Sequence, residues 1–123
     1  MTKILLIENN PVMRPALHDL LQTSEIEVIT AMTVPDALAM LTHIRGVRLV
    51  IADGDLPEMD SVALIKRLRT QEQYRALPLL IYSIEEKDKL RRKVLDAGAN
   101  LFLSPPFTVA DLRESVHKLL SSH

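Results

Sequence analysis

The sequence predicts an α/β domain in which a parallel five-stranded sheet is covered by helices on both faces. Five short apolar runs alternate with five longer stretches whose apolar residues recur at helical spacing, a pattern typical of parallel strands joined by crossover helices. The length of 123 residues is typical of one hydrophobic core, so residues 1–123 are expected to form a single domain. The predicted strands are residues 4–7, 26–29, 49–52, 79–82 and 101–103.

The predicted helices lie between and after these runs, where apolar residues are three or four positions apart. In chain order they are marked by Met13, Leu17, Leu20 and Leu21; by Val34, Leu38 and Leu41; by Val62, Ile65 and Leu68; by Leu90, Val94 and Ala97; and by Leu112, Val116, Leu119 and Leu120.

Residues that favour the start or end of a helix support these positions. Asn10 with Pro11 and Thr33 with Pro35 indicate two helix starts. Thr108 with Asp111 approximates a capping box and indicates a third. Gly98 stands where the fourth helix closes in a left-handed conformation. Pro15 conflicts with the first helix unless that helix starts late, because proline lacks a backbone N–H.

The order of the strands follows from their composition. The first, third and fourth runs are almost continuously apolar, as expected for strands covered on both faces, whereas the second contains Glu27 and is expected at an edge. Right-handed crossovers then favour the flavodoxin-like order 2-1-3-4-5.

Composition and charge exclude several classes of protein. Fifteen Lys and Arg residues against sixteen Asp and Glu residues give a net charge of −1, which disfavours direct binding of nucleic acid through phosphate neutralisation. No cysteine is available for disulfides or zinc, and the four histidines lack metal-ligand spacing. No apolar run approaches the roughly 20 residues that span a bilayer, and no signal peptide is recognisable. A cytoplasmic protein without membrane association is expected.

Polar side chains follow the strands that should lie at the centre of this sheet. Glu8 and Asn9 follow the first run, Asp53 and Asp55 follow the third, and Ser83 follows the fourth. In open parallel sheets, ligands bind outside the carboxyl ends of the strands, where the strand order reverses. Oxygen ligands gathered there fit Mg²⁺, and they predict a site in which Asp53 is the nucleophile for a phosphoryl group and Ser83 hydrogen-bonds that group.

Four segments in the correct order give the whole chain a resemblance to the bacterial two-component response-regulator receiver domain. They are residues 4–11 (ILLIENNP), 49–60 (LVIADGDLPEMD), 77–83 (LPLLIYS) and 97–107 (AGANLFLSPPF). The resemblance implies phosphorelay signalling, with a histidine kinase or phosphotransfer protein as the phosphoryl donor. It also implies that the domain is not an enzyme beyond phosphorylating and dephosphorylating itself.

The resemblance assigns roles to individual residues. Asp53 matches the phosphoacceptor, Ser83 the switch hydroxyl, and Phe102 the aromatic switch. Glu8, Asn9, Asp53 and the backbone carbonyl of Asp55 match the Mg²⁺ ligands. Pro106 matches a proline whose preceding peptide bond is cis, a conformation that an X–Pro bond adopts at small cost.

Glu8, Asn9 and Pro105 depart from the family pattern, and Ser61 is a minor further departure. Glu8 is tolerable, because the residue at its position often reaches the metal through water. Asn9 replaces a carboxylate expected to touch the metal, so Mg²⁺ binding should be weaker. Pro105 stands in place of the family lysine, whose charge neutralises phosphoryl oxygens, so both phosphorylation and the conformational response should be impaired. Ser61 replaces a glycine. Lys87 and Lys89 are the candidate substitute cations, although a solvated helix face is the expected role for the basic residues 87–93.

Two further interpretations remain open. The domain could act without phosphate, as a pseudo-receiver that only binds other proteins. Alternatively, Asp53-Gly54-Asp55 is an Asp-x-Asp motif, which is typical of haloacid-dehalogenase-like phosphatases, although those chains are longer. Under the receiver interpretation, the fourth helix, fifth strand and fifth helix form the output surface. Its basic residues would bind an acidic output protein or a second copy of the chain.

Overall fold

The computed structural model describes residues 1–56, 61–84 and 88–121, and it confirms the predicted fold class. Five parallel strands form one sheet in the order β2-β1-β3-β4-β5. The strands are β1 (Thr2–Ile7), β2 (Ile26–Ala31), β3 (Val47–Asp53), β4 (Leu79–Tyr82) and β5 (Leu101–Leu103). The helices are α1 (Met13–Leu21), α2 (Val34–His43), α3 (Ser61–Arg69), α4 (Asp88–Ala97) and α5 (Val109–Ser121), and a short 3₁₀ helix (Glu72–Tyr74) follows α3.

The hydrophobic core consists of two layers, one on each face of the sheet. Helices α1 and α5 pack on one face through Leu17, Leu21, Leu112, Val116 and Leu119. Helices α2, α3 and α4 pack on the other through Val34, Ala37, Leu41, Leu64, Ile65, Leu68 and Val94. Successive strand residues point alternately into the two layers, which is why the central strands are apolar at every position.

Strands β1 (Thr2–Ile7), β2 (Ile26–Ala31) and β3 (Val47–Asp53) are longer than the sequence predicts, and the extensions of β1 and β3 show the cause. Strand β1 begins at Thr2 because Thr2 and Lys3 pair with Ile26 and Glu27 of β2. Strand β3 includes Asp53, which was expected after the strand, because Asp53 is registered with Tyr82 of β4. Backbone pairing with a neighbouring strand, which is not visible in composition, extends both strands.

The helix boundaries resolve the apparent conflict at Pro15. Helix α1 begins at Met13, so Pro15 lies in its first turn, where a backbone N–H has no intrahelical partner to lose. Asn10 supports this late start, since its Oδ1 accepts hydrogen bonds from the backbone N–H of Val12 at 2.8 Å and of Met13 at 3.0 Å.

The other predicted helix signals are confirmed. Thr33 Oγ1 accepts a hydrogen bond from the Asp36 N–H, and Thr108 and Asp111 bond reciprocally as a capping box. Gly98 ends α4 with a φ of +122°. Across the described part of the chain, the helices are too short or too polar to cross a bilayer.

Candidate functional site

The residues predicted to form the site lie at one edge of the sheet, where the strands end. Ile7, the last residue of β1, is registered with Ala52, so Glu8 lies beside Asp53. Asp53 is in turn registered with Tyr82, the last residue of β4, and the Gly54 N–H donates to the Tyr82 carbonyl at 2.8 Å. The parallel register therefore brings the ends of β1, β3 and β4 together.

Strand alternation divides these residues between the two faces of the sheet. Leu6 and Ile51 pack in the layer with α1 and α5, and Glu8 and Asp53, each two residues farther on, belong to the same face. Tyr82 packs in that layer as well. The structure thus groups Glu8, Asp53 and Tyr82 on one face.

Glu8 is the most deeply buried acidic residue described, with a side chain that is only 2% exposed. Its Oε1 accepts a hydrogen bond from the Tyr82 hydroxyl, and its Oε2 accepts one from the Asn10 N–H at 3.0 Å. A buried carboxylate requires such donors, because desolvation of an unpartnered charge is costly. Two donors from different elements therefore fix its orientation.

Asp53 is half-buried beside Glu8, and its carboxyl differs electrostatically from an exposed aspartate. Burial is the largest cause that raises the pKa of Asp53, to about 6, and the negative charges of Glu8 and Asp55 and a side-chain hydrogen bond with Glu8 raise it further. The Asp55 N–H, which donates to Asp53 Oδ1 at 3.0 Å, acts in the opposite direction. The site therefore concentrates negative charge.

Tyr82 connects this acidic pair to the hydrophobic core. Burial, followed by the hydrogen bond and charge of Glu8 and the charge of Asp53, raises the pKa of Tyr82, so the phenol is neutral at physiological pH. Its ring meets the Phe107 ring edge-on, with centroids 6.4 Å apart and planes at 69°. Phe107 follows the Pro105–Pro106 peptide bond, which is cis as expected.

Ser83 and Phe102 lie on the neighbouring strands at the same edge. Ser83 is fully buried and directly follows Tyr82, and its N–H donates to the Leu103 carbonyl at 3.0 Å. Phe102, which is registered with Ile81, is buried in the layer with α2, α3 and α4. Ser83 is thus one residue beyond the position registered with Asp53, and Phe102 lies on the face opposite Tyr82.

The loop after Asp53 packs closely on two helices. A Cβ atom on Gly54 would lie 2.6 Å from Leu90 Cδ2 of α4, so only glycine permits this approach without a shift of Leu90. The Ser61 hydroxyl, at the start of α3, donates to the Gly54 carbonyl at 3.4 Å. The loop after Asp53 therefore packs against both α3 and α4.

The predicted metal ligands are only partly gathered. Glu8 and Asp53 are adjacent, whereas the side chains of Asn9 and Asp55 are exposed, and the described residues contain no group of three His, Cys, Asp or Glu residues suited to a metal ion. An all-oxygen donor set with two carboxylates and excess negative charge nevertheless fits Mg²⁺, which usually keeps several of its waters. The residues present therefore fit this cation.

Of the two predicted substitute cations, Lys89 lies within the described ranges. Lys89 is exposed on α4, together with Arg91, Arg92 and Lys93, as expected for a solvated face. Lys87 and the phosphoacceptor-loop residues 57–60 lie outside the described residues. Within the described ranges, neither Glu8 nor Asp53 forms an ion pair with a lysine or arginine.

Tyr82 is the residue that sequence reasoning missed. Its signal was a single polar group at the end of the otherwise apolar strand LLIY. Combining the predicted strand order with alternation would have placed position 82 on the same face as positions 8 and 53, but that inference requires the register, which the sequence does not give directly.

Comparison with known proteins identifies a family that this chain resembles. The family model for the response regulator receiver domain matches residues 4–117. The chain is 26% identical over 121 residues to a chemotaxis protein CheY homolog of Campylobacter jejuni, covering 98% of this chain and 93% of that protein. It is 30% identical over 123 residues to the KDP operon transcriptional regulatory protein KdpE of Escherichia coli, and it spans 53% of that longer protein.

Solved structures agree with this comparison. Chemotaxis protein CheY4 of Vibrio cholerae superposes with a TM-score of 0.87 at 28% identity, covering 98% of this chain and 99% of that one. The receiver domain of a signal transduction histidine kinase from Syntrophus aciditrophicus superposes with a TM-score of 0.88 at 27% identity, covering 99% and 92%.

Proposed function

This chain belongs to the family of response regulator receiver domains, which are signalling modules of two-component systems rather than conventional enzymes, and we propose that Asp53 is its phosphoacceptor. The phosphoryl donor is the phosphohistidine of a histidine kinase or phosphotransfer protein. We further propose that residues 1–123 form one receiver unit. The observation that carries the proposal is the placement of Asp53 at the end of β3, beside Glu8 and one position from Ser83 in the parallel register.

The proposed reaction uses the Asp53 oxygen that does not accept the Asp55 N–H. Asp53 Oδ1 is held by the Asp55 N–H, so Oδ2 is the atom that attacks phosphorus. A P–O bond to Asp53 forms while the P–N bond of phosphohistidine breaks, and the leaving imidazole keeps the electron pair of that bond. Ser83 then donates its hydroxyl to a phosphoryl oxygen, and Phe102 responds to this movement as the aromatic switch.

Mg²⁺ is the proposed cofactor, held by Glu8, Asn9, Asp53 and the backbone carbonyl of Asp55. When bound, it neutralises charge on the phosphoryl oxygens. Asn9 supplies a neutral amide oxygen in place of a carboxylate, so binding is expected to be weak.

The proposed chemistry is slow because no lysine or arginine of the described residues forms an ion pair with Glu8 or Asp53. Pro105 occupies the position of the family lysine. A unit-charge contact near 4 Å is worth about 4 kcal/mol at an effective dielectric constant near 20, before desolvation is subtracted. Without that contact, the repulsion between an incoming phosphoryl group and the carboxylates of Glu8 and Asp53 is left to the metal alone.

A second candidate function is supported by the same acidic pair. The Tyr82 hydroxyl and the backbone N–H groups of Asn10 and Asp55 hold the two carboxyls in place without phosphate. A pseudo-receiver would use this state permanently and act only through contacts with other proteins.

The proposed output surface lies on α4, β5 and α5. Arg91 and Arg92 are exposed on α4, and an open groove of about 380 Å³ runs between β5 and α5, where Phe107, Asp111 and Lys118 line it. The exposed charges of α4 suit an acidic output protein or a second copy of this chain. Charge reversal at Arg91 and Arg92 should then abolish partner binding or self-association, and unchanged binding would refute this assignment.

The decisive experiment is intact-mass measurement after incubation with acetyl phosphate and Mg²⁺. The unsubstituted protein should gain one phosphoryl group, and Asp53→Ala should gain none. Asp55→Asn is the matched control, since it removes a neighbouring carboxyl but keeps the backbone carbonyl, and it should still be phosphorylated. No added mass on the unsubstituted protein would favour the phosphate-free function.

Pro105→Lys tests the cause of the proposed slow chemistry. The new cation should increase the initial rate of phosphorylation at least tenfold, because it restores part of the missing charge contact. An unchanged rate would place the limitation elsewhere, with Asn9→Asp as the next variant to compare.

A further inference from the structure

The further inference concerns Tyr82, whose hydroxyl donates to the buried Glu8 from the end of β4. We propose that Tyr82 is a positioning residue that takes over one task of a site cation: it fixes the Glu8 carboxylate for metal binding. This inference rests on the proposed function and deepens it, because it states what organises the metal site of this chain.

The contact between Tyr82 and Glu8 gives the phenol an acceptor and gives Glu8 a second donor beside the Asn10 N–H. Both side chains are almost completely buried, Glu8 at 2% and Tyr82 at 2% exposure. A buried phenol needs a partner for its hydroxyl, and a buried carboxylate needs donors. Each supplies what the other lacks, so the hydrogen bond fixes both side chains.

The position of Tyr82 is itself constrained from two sides. Its backbone is registered with Asp53, and its carbonyl accepts the Gly54 N–H at 2.8 Å. Its ring packs edge-on against Phe107, immediately after the segment that contains Pro105. Tyr82, the hydrogen-bond donor, therefore lies on a rigid strand. Phe107, two residues after Pro105, supports its ring.

A neutral donor differs from a lysine in its effect on charge. Tyr82 orients Glu8 but does not cancel the negative charge that Glu8 and Asp53 share. With Tyr82 on Oε1 and Asn10 on Oε2, the carboxylate presents its remaining lone pairs in a fixed direction. The Glu8 carboxylate is thus oriented to bind a cation, and its charge is left for that cation to neutralise.

Tyr82→Phe tests this inference, and the chain supplies a matched control. Tyr74, the only other tyrosine, donates its hydroxyl to the Leu41 carbonyl at 2.9 Å, on the far side of the molecule. Tyr74→Phe also removes one hydroxyl hydrogen bond and keeps the ring. Mg²⁺ affinity is measured for each variant by NMR titration of backbone amides, with thermal unfolding as the fold control.

Tyr82→Phe should weaken Mg²⁺ binding about tenfold, because a hydrogen bond to a charged group contributes about this much to an equilibrium constant. Tyr74→Phe should change it less than twofold. In a Glu8→Ala background, Tyr82→Phe should have no further effect, since Tyr82 acts through Glu8. Equal effects of the two tyrosine variants, or an undiminished effect of Tyr82→Phe without Glu8, would overturn the inference while leaving the proposed function intact.

Two further measurements keep the inference testable if Tyr82→Phe does not fold. In the unsubstituted protein, the Tyr82 hydroxyl proton should give a slowly exchanging NMR resonance that shifts when Mg²⁺ is added, and a resonance indifferent to Mg²⁺ would overturn the inference. Phosphorylation by acetyl phosphate in EDTA should be undetectable. Absence of any Mg²⁺ binding by the unsubstituted protein would overturn both this inference and the metal-dependent function.

Discussion

Charged side chains at the two ends of the sheet have opposite electrostatic surroundings. At the amino end of β4, the guanidinium of Arg69 donates five hydrogen bonds of 2.8 to 3.0 Å to the carbonyl oxygens of Gly98, Tyr74 and Leu77 and to Asn100 Oδ1. At the carboxyl end of the same strand, Glu8 and Asp53 accept hydrogen bonds from separate neutral donors, and their charges repel each other. One end satisfies a cation, and the other concentrates negative charge.

The difference shows which end stabilises the fold and which end is available for chemistry. Arg69 joins the end of α3, the 3₁₀ helix and the turn before β5, and Asn100 extends the network by accepting the Leu79 N–H at 2.8 Å. Hydrogen bonds from one charged donor to several backbone carbonyls are strongly stabilising. Among the described residues, no lysine or arginine pairs with the two carboxyls at the acidic end, as expected where a ligand completes the site.

Arg69→Met should give the largest loss of stability. The methionine keeps an apolar stem but removes all five hydrogen bonds of the guanidinium, while the Tyr74 carbonyl and Asn100 Oδ1 each keep a backbone N–H donor. The free energy of unfolding should therefore fall by about 3 kcal/mol. Urea unfolding measures this loss. The Mg²⁺ affinity of the folded variant should be unchanged, and a loss of affinity would contradict the separation of the two ends.

Gly98→Ala should be the next largest effect. A Cβ atom at Gly98 would lie 3.0 Å from Arg69 Cγ, and the φ of +122° is unfavourable for alanine. A loss of about 2 kcal/mol is expected in urea unfolding. The matched control is Gly46→Ala, where φ is +83° but no atom lies within 4 Å of the added Cβ, so its smaller loss measures backbone strain alone.

Asp53→Asn should instead stabilise the protein near neutral pH. The pKa of Asp53 is raised from 3.8 to about 6, so between these values the folded state binds more protons than the unfolded state, and stability falls as the pH rises through this range. Asparagine does not ionise, so Asp53→Asn removes this loss of stability. After allowance for the partial exposure of Asp53, the gain at pH 7.5 should be about 1 kcal/mol.

The measurement is the free energy of unfolding of both proteins from pH 3.5 to 7.5 in EDTA. The gain from Asp53→Asn should disappear below pH 4, where the carboxyl is protonated in both states. A variant less stable than the unsubstituted protein at pH 7.5 would show that the acidic end is not strained by charge.

Ser61→Ala should have the smallest effect, below about 0.5 kcal/mol. Its hydroxyl reaches the Gly54 carbonyl only at 3.4 Å, near the limit for a hydrogen bond. Thermal unfolding, with Thr108→Ala as a comparison that removes a well-formed cap worth about 1 kcal/mol, checks this ranking. A loss from Ser61→Ala as large as that from Thr108→Ala would show that the loop after Asp53 is held more firmly than its geometry indicates.

The sequence predicted the strand order, both core layers and most of the cap signals because these depend on local patterns. Apolar runs identify strands, helical spacing identifies the packed faces, and Thr33, Thr108 and Gly98 act within a few residues of themselves. The same patterns placed Glu8, Asp53 and Ser83 at one edge, since the carboxyl ends of parallel strands share it. Their functional roles remain predictions.

What the sequence alone determined is therefore the class of the fold and the residues at its carboxyl edge. Only the tertiary structure decided that Tyr82 meets Glu8 and that Arg69 meets Gly98, because these contacts join residues 74 and 29 positions apart. Such contacts depend on strand register and side-chain direction, which composition and periodicity do not determine. The physical reason is that a buried charge must be hydrogen-bonded or paired, and its partner is set by the packing of the whole chain.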